Sequence, residues 1–251
     1  MNALLRVEQL RKAFGGLKVT DEVSFSIQPQ EIAAIIGPNG AGKTTLFNQI
    51  TGQLPPDGGR IRFEEVDLVG RSPQDIVRLG IGRSFQIASI FPDESVRDNL
   101  LAACLSRLNQ TRRLWRPYTS HLQAGEEAMA ILASLGLESQ ANRPAYELAH
   151  GDQKLLDIGI ALALRPKLLL MDEPTAGMSP EERQRTRTLI KKLWEEYRLT
   201  LVFIEHDMDM VFGIAERIFV LNHGRLIAEG APESIRANRD VITAYLGEET
   251  G

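Results

Sequence analysis

The run from Gly37 to Thr44 has the clearest chemistry in the sequence. Two of its glycines, Gly37 and Gly42, are separated by four residues and followed by Lys43 and Thr44, which is the P-loop pattern. Glycines let the backbone turn tightly and approach phosphate oxygens, so that N–H groups form an anion nest at a helix N-terminus. Lys43 would contact the β- and γ-phosphates of a nucleotide, and the Thr44 hydroxyl would bind Mg²⁺.

The surroundings of this loop favour a phosphate site. An apolar run, Ile32–Ile36, precedes the loop, and a helix is predicted over Thr44–Ile50. A glycine-rich turn that binds no ligand is the alternative, and the strand–loop–helix context argues against it. The candidate ATP-binding residues of the loop are Gly37, Pro38, Asn39, Gly40, Ala41, Gly42, Lys43, Thr44 and Thr45.

A pair of carboxylates predicts the second half of the site. Asp172 and Glu173 follow the apolar run Leu168–Met171, at the end of a strand where α/β proteins bind ligands. Asp172 would hold Mg²⁺, directly or through water, and Glu173 would accept a proton from the attacking water. Such a pair often merely ends a strand, but together with the phosphate loop it predicts hydrolysis of ATP with Mg²⁺ as cofactor.

Three uninterrupted apolar runs predict the sheet that positions these residues. Ile32–Ile36, Leu168–Met171 and Leu201–Ile204 are typical of strands that are buried on both faces, as in a parallel sheet. Helical stretches such as Glu181–Tyr197 separate them. Buried strands that alternate with helices predict an α/β fold.

The two ends of the chain predict further strands. Leu4–Leu10 precedes a glycine pair, and Val23–Ile27 alternates apolar and polar residues as a half-buried strand does. Near the other end, Ile218–Leu221 and Arg225–Ala228 predict a hairpin, and Pro232 is expected to open a short helix.

The middle of the chain predicts a helical insertion. Between about Gln86 and Gly151 the strand signal disappears, and helical spacing is found in Leu100–Leu108 and Glu126–Leu135. No acidic residue occurs between positions 100 and 125, where four arginines fall. Either these form a solvated basic face with a mobile loop, or they dock a membrane partner. The arginines are Arg107, Arg112, Arg113 and Arg116.

The bulk composition limits the partners and the compartment. A net charge of −4 and a pI of about 5.7 argue against nucleic acid as a partner, because a phosphate backbone is bound through clustered Lys and Arg. The single cysteine, Cys104, has apolar neighbours and is interpreted as a buried structural thiol. The longest helical apolar run, Ile158–Leu164, is too short to cross a bilayer. We therefore expect a cytoplasmic chain that a partner holds at the inner face of the cell membrane.

The order of these motifs resembles that of the ABC ATPases. In that family an aromatic residue ahead of the P-loop stacks on adenine, and a glutamine after the next core strand senses Mg²⁺ and the transport partner. Phe14 and Gln86 occupy similar positions, which implies that both bind ATP and that Gln86 also contacts the metal. A family histidine after a late strand contacts the γ-phosphate. His206 matches it, and the resemblance implies that it is catalytic along with Glu173 and Lys43.

The family's signature opens a helix that meets the nucleotide bound by the other subunit. Its usual form is Leu-Ser-Gly-Gly-Gln, and the similar stretch here consists of Ala149, His150, Gly151 and Asp152 after a leucine. Ala149 lacks the hydroxyl that would reach the phosphate. Asp152 suits the helix dipole but not an anion. The Gly151 amide therefore carries the expected contact.

The resemblance also implies an architecture. The expected fold is an α/β P-loop NTPase core sheet of the ABC ATPase type, with an antiparallel β subdomain and an inserted helical subdomain. Residues 1–251 would form a single ABC ATPase domain. Its core would comprise residues 1–85 and 152–251, and its helical signature subdomain residues 86–151.

Finer features resemble one branch of the family. Ala176-Gly177-Met178 after the glutamate, Ser179 in place of the usual aspartate, and the opening Phe14–Lys18 look like the ATPases of branched-chain amino-acid importers. Urea and amide importers have similar subunits, and exporters or lipid transporters are a further alternative. A non-hydrolysing regulatory subunit or a soluble repair or translation ATPase fits less well. The implied partners are a second ABC ATPase subunit, the same or related, membrane permease subunits and, indirectly, a solute-binding protein.

Overall fold

The computed structural model describes residues 3–84, 90–108 and 122–246. The strands are β1 Leu5–Phe14, β2 Leu17–Ile27, β3 Ile32–Ile36, β4 Gly58–Phe63, β5 Val66–Asp67, β6 Ile81–Ser84, β7 Leu168–Asp172, β8 Thr200–Ile204, β9 Arg217–Asn222 and β10 Arg225–Gly230. The helices are α1 Lys43–Ile50, α2 Pro73–Leu79, α3 Val96–Arg107, α4 Leu122–Leu135, α5 His150–Ala163, α6 Pro180–Tyr197, α7 Met208–Ile214, α8 Pro232–Arg236 and α9 Arg239–Leu246.

The central sheet has the strand order β10-β9-β3-β8-β7-β6 and is parallel except for the β9–β10 hairpin. Four of its strands, β3, β7, β8 and β9, are buried on both faces. In β3, for example, Ala34 and Ile36 belong to one hydrophobic cluster, whereas Ala33 and Ile35 belong to another. The same alternation occurs in β7, β8 and β9. This two-sided burial explains the uninterrupted apolar runs.

The parallel strands bring three functional segments to one edge. Strand β3 leads into the phosphate loop, β7 ends at Asp172, and β8 is followed by Glu205 and His206. The register pairs Ile35 with Ile204 and Asp172 with Ile204, so these strands end at the same level. Their carboxyl ends form the edge at which open α/β sheets bind ligands.

A second, antiparallel sheet lies at the N-terminal side, with the order β2-β1-β4-β5. Leu5 of β1 pairs with Ile27 of β2 on one side and with Phe63 of β4 on the other. All three side chains are buried in the cluster that also covers α1 and one face of the central sheet. This sheet therefore packs on α1, the helix that follows the phosphate loop.

In the described part of the middle of the chain, residues 90–108 and 122–151, the structure is mainly helical, as the sequence predicts. Helices α3, α4 and α5 pack together around Gly159, where an added Cβ would lie 2.6 Å from Leu135 Cδ1 and 3.2 Å from Leu100 Cδ2. Their apolar side chains share one cluster with a face of the central sheet. The predicted fold class is confirmed, and the subdivision at residues 85/86 and 151/152 stays a prediction.

Two expectations about the middle segment have different outcomes. Cys104 is fully buried, as predicted. Arg107 does not present a bare cation, because it donates to Glu127 at 2.5 Å and to the Ala163 carbonyl at 3.0 Å. The other three arginines of the basic stretch, Arg112, Arg113 and Arg116, lie outside the described residues.

No helix within residues 3–84, 90–108 and 122–246 combines the length and the apolar character that a bilayer crossing requires.

Candidate active site

The phosphate loop depends on the last of its glycines. Gly42 caps the N-terminus of α1 with φ 100°, a conformation that side chains other than glycine rarely adopt. An added Cβ would lie 2.2 Å from the Val19 carbonyl oxygen. Backbone from β2 therefore presses on the loop, and no residue with a Cβ fits without a shift of this backbone.

Lys43 is folded over the inner side of the loop. Its side chain is buried, and Nζ donates hydrogen bonds to the carbonyl oxygens of Gly37 at 2.5 Å and Pro38 at 2.9 Å. Thr44 is exposed and Thr45 is half-buried. The first turn of α1 also presents backbone N–H groups that have no partner inside the helix. The loop thus gathers one cation and several N–H donors, the set of groups that binds phosphate.

Asp172 forms a buried ion pair with Arg83 of β6. Arg83 Nη2 donates to Asp172 Oδ2 at 2.9 Å, and Arg83 Nη1 donates to Asn48 at 2.6 Å and Gln53 at 3.2 Å. Burial raises the pKa of Asp172, and the Arg83 charge opposes that rise. Burial also lowers the pKa of Arg83. The pair fixes one carboxylate oxygen of Asp172 and connects it to the end of α1.

The second carboxylate oxygen of Asp172 fits a metal ligand. Oδ1 is buried and accepts no hydrogen bond from any described residue, an arrangement that is costly unless another group binds it. Carboxylate and hydroxyl oxygens are the ligands that Mg²⁺ prefers. Asp172 Oδ1 and the exposed Thr44 hydroxyl offer such ligands, so the residues present are compatible with magnesium.

Glu173 and His206 contact each other at the sheet edge. Glu173 Oε1 lies 3.0 Å from His206 Nε2, and their side chains are 20% and 42% exposed. Glu173 has φ 51°, a conformation that costs a non-glycine residue free energy and is often found at functional sites. Its N–H donates to the Ile204 carbonyl at 2.9 Å. A solvent-accessible carboxylate is thereby held beside an imidazole, next to buried Asp172.

Comparison with known proteins identifies the family. The description "ABC transporter" matches residues 20–176, and "Branched-chain amino acid ATP-binding cassette transporter" matches residues 225–250. The high-affinity branched-chain amino acid transport ATP-binding protein LivG of Escherichia coli K12 is 42% identical, with 98% of each chain covered. BraF of Pseudomonas aeruginosa is 40% identical at the same coverage. The chain belongs to the ABC transporter family.

Solved structures of this family have the same fold. An ATP-binding cassette of an ABC transporter in its ADP conformation superposes with a TM-score of 0.87 at 34% identity, covering 98% of this chain and 100% of that one. A dimeric cassette bound to ADP and phosphate after hydrolysis gives a TM-score of 0.77 at 25% identity, with 91% and 98% covered. This ABC protein is thus a nucleotide-binding transport ATPase subunit.

The residues predicted to form the signature lie at the start of α5, against the segment that follows Glu173. Ala149 is the N-cap residue and makes no side-chain cap, and Asp152 accepts a hydrogen bond from Gln140 at 2.9 Å. An added Cβ on Gly177 would lie 3.3 Å from His150 Cδ2. Gly151 has similar room, since its nearest neighbour would be 3.5 Å away. The absent hydroxyl at Ala149 therefore leaves α5 with a start that no side chain caps.

The remaining residues predicted from the ABC resemblance, Phe14 and Gln86, lie in other parts of the chain. Phe14 lies at the β1–β2 turn, is 51% exposed, and has Lys12 Nζ 5.6 Å from its ring centroid. An exposed ring is available for stacking. Gln86 lies outside the described residues, two positions after β6 ends at Ser84. The structure thus brings Asp172, Glu173 and His206 to the edge of the central sheet at which β3 leads into the phosphate loop. Phe14 lies in the other sheet.

Three buried charged residues contact the site and were not predicted to do so. They are Arg83, Lys154 and Glu205. Lys154, on α5, donates from Nζ to the Glu173 carbonyl at 2.8 Å. Glu205 accepts hydrogen bonds from the backbone N–H groups of Thr175, which follows Glu173, and of His206. A charged residue next to or inside an otherwise apolar core element is a sequence signal that could have identified them, because such charges are rarely buried without a partner.

Proposed function

We propose that this chain binds and hydrolyses ATP to power the import of branched-chain amino acids. The carboxylate–imidazole contact between Glu173 and His206, at the strand ends next to the phosphate loop, supports hydrolysis most directly. The substrate class is supported by relatives of almost full length whose names state branched-chain amino-acid transport. Permease subunits and an external solute-binding protein would complete the importer.

The phosphate loop would bind the triphosphate. Lys43 leaves the carbonyls of Gly37 and Pro38 and places its ammonium against the β- and γ-phosphates, while the loop N–H groups donate to their oxygens. Asp172 Oδ1 and the Thr44 hydroxyl, with Gln86, would hold Mg²⁺. When bound, Mg²⁺ neutralises phosphate charge. Phe14 would stack on adenine.

Glu173 and His206 would divide the catalytic work. Glu173 is the general base, which orients the attacking water and accepts its proton. His206 donates from its imidazole toward the γ-phosphate and stabilises the charge that develops there. Their 3.0 Å contact keeps the two groups within reach of one reacting centre.

A second ATPase subunit would complete each site. In the proposed assembly, the N-terminus of α5 in one subunit, through the Gly151 amide, contacts the nucleotide on the phosphate loop of the other. ATP favours this closed dimer because its γ-phosphate contacts both subunits, and hydrolysis removes these contacts. The opening and closing would be transmitted to the permease.

An ATPase assay tests the catalytic assignment. We expect Glu173→Gln to reduce kcat by roughly a hundredfold or more, since general-base catalysis contributes about 10²–10⁴-fold, with ATP affinity retained. Glu195→Gln, an exposed site on α6, is the matched control and should behave as wild type. Equal rates for wild type and Glu173→Gln would refute the role of Glu173.

A transport assay tests the substrate class. The chain would be reconstituted in vesicles with the permease and binding protein that co-purify with it from native membranes, and uptake of radiolabelled leucine and of urea would be measured. We expect ATP-dependent leucine uptake that Glu173→Gln abolishes. Uptake of urea without leucine would reject the amino-acid assignment but leave the ATPase assignment intact.

A further inference from the structure

Glu205 is a buried carboxylate that is saturated with hydrogen bonds. It directly follows β8 and is 3% exposed. Its Oε1 accepts from the Thr175 N–H at 2.9 Å and from the Thr175 hydroxyl at 2.5 Å. Its Oε2 accepts from the N–H groups of His206 at 3.0 Å and Asp207 at 3.4 Å. Four hydrogen bonds therefore converge on one side chain.

These donors come from two separate segments of the active site. Thr175 is two residues after Glu173, in the segment that follows β7, and His206 is the next residue after Glu205 itself. Beyond the last backbone hydrogen bond between them, from the Glu173 N–H to the Ile204 carbonyl at 2.9 Å, the two segments are joined through the Glu205 carboxylate. The side chains of Glu173 and His206 meet at 3.0 Å immediately beside this junction.

The negative charge of Glu205 is balanced from α5. Lys154 is buried, donates to the Glu173 carbonyl at 2.8 Å, and interacts electrostatically with Glu205 and Glu173. A buried charge is tolerated when it is paired and its lone pairs are satisfied. The helix that carries the signature thus contributes the counter-charge to the junction between the two catalytic segments.

We propose that Glu205 is a positioning residue that holds His206 and Glu173 in their mutual geometry. Both of its oxygens are already hydrogen-bonded within the chain, so it acts through other residues: it ties the backbone from which His206 projects to the backbone that follows Glu173. The inference rests on the proposed catalytic roles of these two residues. It assigns to Glu205 a function that the position of His206 alone does not imply.

The chemistry requires a carboxylate here. A carboxylate offers acceptors on both oxygens, whereas glutamine of the same size has one acceptor oxygen and an NH₂ group that only donates. Whichever way the amide is oriented, at least one backbone N–H of Thr175 or His206 would face another N–H. Glu205→Gln therefore breaks the junction without opening a cavity.

Steady-state kinetics on the full chain provide the first test. We expect Glu205→Gln to lower kcat by about tenfold to a hundredfold, because small displacements of catalytic groups cost about this much, while KM for ATP changes less than about threefold. The matched control is Glu31→Gln. Glu31 is also a buried carboxylate that accepts from backbone and arginine, but it precedes β3 at the opposite end of the sheet, and kcat should be retained.

A double-mutant cycle separates positioning from general loss of structure. In a His206→Ala background the pair no longer exists, so Glu205→Gln should lower kcat by less than about twofold further. A full tenfold loss in that background would overturn the proposal, as would a Glu31→Gln variant that loses kcat to the same degree.

Hydrogen exchange supplies a readout that does not depend on turnover. In Glu205→Gln, amides of residues 175–178 and 204–208 should exchange about tenfold faster, the change expected when a hydrogen bond worth about 1.4 kcal/mol is lost. Glu31→Gln should leave them unchanged. Unaltered exchange in Glu205→Gln would overturn the proposal even if kcat fell. A wild-type chain without ATPase activity would instead contradict the proposed function, and the exchange data would still decide whether Glu205 holds the two segments.

Discussion

Arg83 and Asp172 show what single residues contribute, because their charges are buried together. Their side chains are 7% and 3% exposed, and the guanidinium is also fixed by Asn48 and Gln53. Desolvation makes such a pair a weak source of net stability, but the loss of one partner leaves an uncompensated buried charge. The pair therefore affects the charge state of Asp172 more than it stabilises the fold.

Variants that remove one or both charges of this ion pair should differ in stability. Arg83→Met should lower the free energy of unfolding by about 3 kcal/mol, the usual cost of breaking a buried ion pair. Adding Asp172→Asn should restore part of that loss, because the unpaired charge is then gone. Urea denaturation followed by circular dichroism measures both, with Arg78→Met on the exposed face of α2 as the control. An equal or larger loss in the double variant would contradict the pairing argument.

Contacts between side chains that are far apart in the sequence could not be predicted from it. Asp172 and Glu173 are predicted as site residues because they end an apolar strand, whereas His206 is predicted from the resemblance to the ABC ATPases. The contact of Arg83 with Asp172 spans 89 positions, and that of Glu205 with Thr175 spans 30. Such contacts depend on which strands become neighbours, and no local pattern specifies that order. The sequence therefore indicates candidate site residues, but it does not indicate which side chains contact them.

At the scale of elements, uninterrupted patterns were predicted most accurately. Strand β3 has the expected bounds, and α6 begins one residue before the expected start. Strand β2, by contrast, begins at Leu17 and not at Val23, because Glu22 has φ 59° and the register with β1 shifts there. A bulge interrupts the two-residue alternation on which the prediction relied.

Two glycines of the phosphate loop, Gly42 and Gly40, should tolerate alanine to different degrees. Gly42→Ala combines a positive φ with a Cβ 2.2 Å from the Val19 oxygen, whereas Gly40→Ala has φ 78° but nothing within 4 Å. Gly40→Ala should cost only the strain of a left-handed residue, about 1 kcal/mol. Gly42→Ala should weaken ATP binding at least about tenfold, because the loop backbone must move. Titration with a fluorescent ATP analogue compares them, and equal affinities would contradict the crowding.

The N-cap of α6 should contribute measurably to the stability of the chain. Ser179, which replaces the aspartate common in the family, accepts from the Glu182 N–H at 3.3 Å, and Glu182 accepts from the Ser179 N–H at 2.8 Å. This is a capping box. Ser179→Ala should lower the free energy of unfolding by about 1 kcal/mol, while Ser179→Asp should preserve it. Denaturation midpoints measure the difference, and a neutral Ser179→Ala would show that the cap is not needed.

At the scale of the whole molecule, Cys104 reports on the integrity of the fold. It is buried in α3, and burial raises the pKa of its thiol to about 11. The thiolate is the reactive form, so little of it exists at neutral pH. A maleimide should label the native chain slowly and the urea-unfolded chain rapidly. Mass spectrometry follows this reaction, and rapid labelling under native conditions would indicate that the cluster around α3 opens on its own.

The assembly of two subunits is the largest-scale consequence of the proposed function. If hydrolysis opens the dimer, then Glu173→Gln with ATP should accumulate a closed form at twice the 27.9 kDa of the chain. Adding Gly151→Ala should weaken it, because the new Cβ fits within its own subunit at an ordinary contact distance of 3.5 Å from its nearest neighbour but would obstruct the trans contact. Light scattering after size exclusion measures both variants. A Glu173→Gln chain that stays monomeric with ATP would contradict self-pairing and direct attention to a related partner subunit.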